Sequence, residues 1–130
     1  MALTEYSTRV RDALVEPFPD FAPHMRITDD GTHIEIHYPH RLSRFDLLVS
    51  TDRDELTIFF DKDHHHIATR GKSLDEDITE AKRFLAGLLS GSLLLCKDAR
   101  WGTWHFYHPE LSGYDPDEKL TFSTWRELAI

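Results

Sequence analysis

Three consecutive histidines, His64-His65-His66, follow directly on an apolar strand pattern in the segment Glu55 to Ile67, ELTIFFDKDHHHI. Alternate residues of a strand share a face at about 3.3 Å per residue, which puts the Cα atoms of His64 and His66 about 6.6 Å apart. Two imidazoles at that separation reach one metal ion. A catalytic zinc takes three protein ligands and keeps an open position, and His105 or His108 on a later strand offers the third ligand. Asp61 and Asp63 would then orient an imidazole as hydrogen-bonding carboxylates. The pattern lacks the fixed third ligand of an H-E-x-x-H helix, so the first expectation is no cofactor, with zinc as the alternative. The competing structural reading lets His64 and His66 continue the face of Ile58 and Phe60 and end the strand as hydrogen-bonded residues at the core margin. Asp61, Asp63 and His65 are then the side that meets a partner.

A second cluster, Arg100-Trp101-Gly102-Thr103-Trp104-His105-Phe106-Tyr107-His108, is dense in aromatics. Strand alternation separates Trp104, Phe106 and His108 from Thr103, His105 and Tyr107, so one set packs into a core. Trp101 or Tyr107 exposed beside Arg100 would be hot-spot composition for a protein interface. Asp52, Asp54, Asp61 and Asp63 are close in sequence and offer an acidic docking patch for a basic partner. The chain has no phosphate-binding glycine loop, nucleophile elbow or C-x-x-C pair, the common sequence signatures of catalysis. A non-enzymatic binding protein is the expectation.

The elements that must position these residues are readable from spacing. Thr4 caps a first helix in which Tyr6, Val10, Ala13 and Leu14 repeat at helical intervals, and Pro17 and Pro19 end it. Residues 16 to 24 read as an extended connection pinned by Phe18 and Phe21. Asp30-Gly31 supplies a hairpin turn, after which Ile34, Ile36 and Tyr38 face one way and His33, Glu35 and His37 the other. Phe45 to Ser50 and Glu55 to Asp61 form a further strand pair around Thr51 to Asp54. Ser73-Leu74-Asp75-Glu76 has capping-box spacing, Ile78, Ala81, Leu85, Leu88 and Leu89 form one apolar stripe, and Gly91 closes that helix. Strands at Ser92 to Lys97, Thr103 to His108 and Leu120 to Trp125 follow, with a loop over 109 to 118.

Blocks of locally connected strands separated by single helices, without βαβ alternation, predict an α+β fold. The expected form is an antiparallel sheet of about six to seven strands, with the N-terminal helix and one central helix packed on it. At 130 residues, 40% hydrophobic and 29% charged, the chain fits one globular domain spanning residues 1 to 130. One cysteine, Cys96, excludes an intrachain disulfide and lies in an apolar run as a buried, inert thiol. Neither a basic secretory start nor a bilayer-length apolar run is present, so the expectation is a cytoplasmic protein without membrane contact. The net charge of −8 opposes nucleic-acid binding and favours a basic partner.

The order of pieces has a parallel. A strand ending in histidines (Thr57 to His66), a capped helix (Ile78 to Leu89), a strand (Leu93 to Lys97), a turn and a last strand ending Phe122-Ser123-Thr124-Trp125 resembles small bacterial immunity proteins. Those proteins neutralise polymorphic or contact-dependent toxins. The resemblance implies a cytoplasmic, non-catalytic inhibitor that binds a basic toxin domain through an acidic surface, here Asp52, Asp54, Asp61, Asp63, His65 and Trp101.

Overall fold

The computed structural model describes residues 2–61, 63–67, 73–98, 102–107 and 120–128. Helix α1 spans Glu5–Val15, with the Thr4 side chain accepting from the Ser7 amide, so a free N-terminal donor is satisfied at the cap. The proline-rich connection is a 3-10 helix, Pro19–His24, rather than extended chain. Proline at its start fits the turn because the missing N–H has no helical partner there. Phe21 is buried, with its ring tilted against Phe18 at 5.1 Å and edge-on to Tyr38 at 5.0 Å.

Five strands then form an antiparallel meander, β1 (Met25–Ile27), β2 (Ile34–Tyr38), β3 (Leu47–Ser50), β4 (Thr57–Phe60) and β5 (Asp63–His66), in that spatial order. The second helix, α2 (Leu74–Ser90), carries the full capping box between Ser73 and Glu76 and ends on Gly91 at φ 88, the left-handed geometry that glycine adopts without penalty. Three further strands, β6 (Leu95–Asp98), β7 (Trp104–Phe106) and β8 (Leu120–Ser123), make a separate antiparallel sheet in the order β7-β6-β8. The fold is α+β as expected, with its strands divided between two sheets.

The alternation in β2 is realised: Ile34 and Ile36 are buried and His37 is exposed. Residues Ile36, Val49, Ile58 and Phe60 of the large sheet share one core with Val10 and Leu14 of α1 and Ile78, Ala81, Leu85 and Leu88 of α2. An aromatic chain ties the smaller sheet in. Phe60 lies 5.6 Å from Phe106, and Phe106 lies 5.0 Å edge-on to Phe84 of α2. Between the helices, burial and then the Asp77 charge push the Tyr6 hydroxyl up to about 12, because both disfavour phenolate. Cys96 is buried and forms no disulfide. Among the described residues no helix is long and apolar enough to cross a membrane.

The last described segment is fastened by residues that sequence periodicity does not single out. His40 is buried, with Nε2 at 2.7 Å from the Trp125 carbonyl and Nδ1 accepting from the Leu42 amide at 2.9 Å. One neutral tautomer satisfies both contacts. Trp125 Nε1 donates to the Phe45 carbonyl at 2.9 Å, and Arg41 donates to the carbonyls of Arg126 and Leu128.

Candidate functional site

The histidine run does not prolong β4. Phe60 pairs with Asp63, Phe59 with His64, Ile58 with His65 and Thr57 with His66, so the chain reverses within two residues after Phe60. Asp61 starts that reversal at φ 50, in the left-handed region that Asp tolerates better than most residues. Residues opposite each other in an antiparallel ladder share a face. Asp63 and His65 therefore join Ile58 and Phe60 on the inner face, while His64 and His66 join Phe59 and Thr57 on the outer one. This corrects both halves of the expected assignment: an uninterrupted strand keeps even-numbered residues together, and a two-residue reversal exchanges the sets. His65 accordingly stacks on Phe84 at 4.4 Å, with the rings 8° from parallel, whereas His64 and His66 are exposed.

Asp61 and Asp63 reach across to the smaller sheet. The Asp61 Oδ2 accepts from the Trp104 amide at 3.1 Å and the Asp63 Oδ2 from the Phe106 amide at 3.0 Å. These amides, two residues apart, point off the same edge of β7, where no neighbouring strand of the smaller sheet lies among the described residues. Two carboxylates thus supply the acceptors that another strand's carbonyls would have supplied. Arg44 adds a contact of 3.5 Å to Asp61 and donates to the Gly102 carbonyl at 3.2 Å. The Asp61 side chain is only 6% exposed. These two acids hold the sheets together instead of presenting free charge.

Asp52 and Asp54 behave differently. Both are exposed in a 3-10 turn, Asp52–Asp54, that joins β3 to β4. Asp54 accepts from the Thr4 hydroxyl at 2.8 Å and lies 3.2 Å from His33 Nε2, tying the turn to α1 and to the start of β2. His33 is consequently 14% exposed at its side chain and is covered, unlike the surface residue that alternation predicts. Asp52 has no side-chain partner among the described residues and projects its charge into solvent. Trp101 and His108 lie outside the described residues.

On the outer face, the rings of His64 and His66 stand edge to face with centroids 4.7 Å apart. Of the two third ligands expected, His108 lies outside the described residues and His105 is not with them. His105 binds the Thr103 hydroxyl at 2.9 Å and lies 3.7 Å from Asp63, on the side of β5 opposite to His64 and His66. Among the described residues no group of three or more His, Cys, Asp or Glu side chains is arranged to hold a metal ion. The same outer face carries His37, Leu48, Phe59 and His64 in one cross-strand row, and Phe59 is 39% exposed. Comparison with protein-family models, curated proteins and solved structures found no match to this chain.

Proposed function

We propose that this chain is a non-enzymatic protein-binding domain of the cytoplasm, and that it acts as an immunity protein, binding a basic bacterial toxin domain and neutralising it. The observation that carries the reading is Phe59, a large aromatic 39% exposed in a regular strand, within a row of imidazole and aliphatic side chains on a sheet face. Exposed aromatics surrounded by side chains that are cheap to desolvate are what an interface core requires. Neutral imidazoles meet that need better than lysine or glutamate. The net charge of −8 and the solvated Asp52 at the end of the β3–β4 hairpin supply the long-range attraction for a basic partner. The acidic contribution comes from Asp52 and Asp54, since Asp61 and Asp63 bind backbone amides.

Coexpression with the product of an adjacent gene tests this. A tight complex is expected, and Phe59→Ala should weaken it at least about tenfold, as loss of an aromatic anchor does. Asp52→Lys should mainly slow association and flatten its salt dependence. A complex with unchanged affinity in Phe59→Ala removes this face from the interface, and failure to form any complex removes the reading.

A further inference from the structure

We infer that His64 and His66 form a two-imidazole site for a borderline divalent transition ion, such as Cu²⁺, Ni²⁺ or Zn²⁺, on the outer face of β5. The inference is independent of the partner reading, because it concerns the free chain. Three observations on the edge hairpin converge. First, both imidazoles are exposed on one face of a strand with ring centroids 4.7 Å apart. Two nitrogens bound to one tetrahedral ion at about 2.0–2.1 Å sit about 3.3 Å from each other. Rotation about the side-chain bonds closes the rings to that bite while the backbone stays where it is.

Second, the proton on His66 is placed. Its Nδ1 lies 2.7 Å from Glu55 Oε1 and 3.1 Å from the Thr57 hydroxyl. An unprotonated ring nitrogen that close to a carboxylate would set lone pair against lone pair, so Nδ1 is the nitrogen that donates to Glu55, and Nε2 is the nitrogen left to face an ion. A carboxylate on one imidazole nitrogen and a metal on the other is the recurrent arrangement of metal-bound histidine. Third, the ring nitrogens of His64 have no protein partner among the described residues, since His64 contacts only Phe59 and His66 through its ring and Asp63 through its amide. Nothing has to be broken for it to ligate.

The site supplies two nitrogen donors and no oxygen set, which selects against Mg²⁺ and Ca²⁺. Water takes the remaining positions. His105, held on the other side of β5, is not a ligand.

Calorimetric titration of the untagged protein with Cu²⁺, Ni²⁺ and Zn²⁺ should give one ion per chain, with Cu²⁺ tightest and Mg²⁺ silent. His64→Ala and His66→Ala should each weaken Cu²⁺ binding at least about tenfold, Glu55→Gln about tenfold, and His37→Ala not at all. Both histidines are exposed, and circular dichroism of each variant verifies its fold. For the unaltered chain, Cu²⁺ should broaden the NMR signals of residues 55, 57, 59 and 64 to 66 before those of distant residues. The site is overturned if no ion binds, if the double His64→Ala/His66→Ala variant binds within twofold of the original, or if broadening centres on other residues.

Discussion

Two hairpins of the large sheet each turn on an aspartate, and the two carboxylates do opposite things. Asp30 accepts from the Thr28 hydroxyl at 2.6 Å, the Thr32 hydroxyl at 2.7 Å and the Thr32 amide at 3.0 Å. All its partners lie within two residues, and Gly31 at φ 77 takes the strained position. Asp61 takes such a position itself, at φ 50, and its carboxylate accepts from Trp104, 43 residues away. The first turn is closed locally and serves only its own hairpin. At the second, Asp61 joins two sheets, and the following Asp63 repeats the contact one pair along.

Breaking the long-range turn should therefore cost the most. Asp61→Ala loses a charge-assisted bond, leaves the Trp104 amide without an acceptor and puts alanine at a positive φ, together about 3 kcal/mol of folding stability. Asp61→Asn keeps an acceptor and tolerance of that conformation and should recover at least half. Asp63→Ala should cost about 2 kcal/mol through the Phe106 amide. Denaturant unfolding measures each loss, and amide exchange at Trp104 or Phe106 localises it. A loss no larger than that of Asp52→Ala, expected within about 0.5 kcal/mol of zero, would mean that the carboxylates do not join the sheets.

The face exchange at the same turn gives the next effect. His65→Ala removes a ring stacked on Phe84 and should cost about 1 kcal/mol, while His64→Ala and His66→Ala, both exposed, should stay within about 0.5 kcal/mol. Thermal melts of the three variants decide it, and the opposite ranking would restore an uninterrupted strand through His66.

This contrast also explains what could be read in advance. Features whose partners lie within about four residues are written in spacing: Thr4 on Ser7, Ser73 with Glu76, Gly91 after α2, and the alternation of Ile34 and Ile36. The reversal after Phe60 has no glycine to mark it, and an aspartate between apolar and histidine residues reads equally well as strand. Its reason for being there is an amide on a distant edge, which no local pattern encodes. The same holds for His40 and the carbonyl of Trp125. Of the candidate site, the exposure of Asp52 and Asp54 was legible because a polar run between strands is a turn. The burial of Asp61, the inward stacking of His65 and the separation of His105 from His64 and His66 were not, since all three depend on that one unmarked reversal.

The smallest effect belongs to the local turn, and its sign in pH can be worked out. Hydrogen bonds from the Thr28 hydroxyl, the Thr32 hydroxyl and then the Thr32 amide lower the Asp30 carboxyl from 3.8 to about 2, because they favour the ionised form. A carboxylate lowered on folding contributes stability that is complete above the unfolded value and disappears as pH falls through the folded one. The stability difference between the original chain and Asp30→Asn should thus be constant above about pH 5 and shrink progressively between about pH 5 and pH 1. It should also be smaller than either inter-sheet variant, since Asp30 is fully solvated and Gly31 holds the turn without it. Denaturant unfolding across that pH range measures the difference, and a gap that persists unchanged below pH 2 would show that the carboxylate's charge does not stabilise the turn. Asp30→Asn should leave exchange at Trp104 and Phe106 untouched, because none of its partners lies beyond its own hairpin.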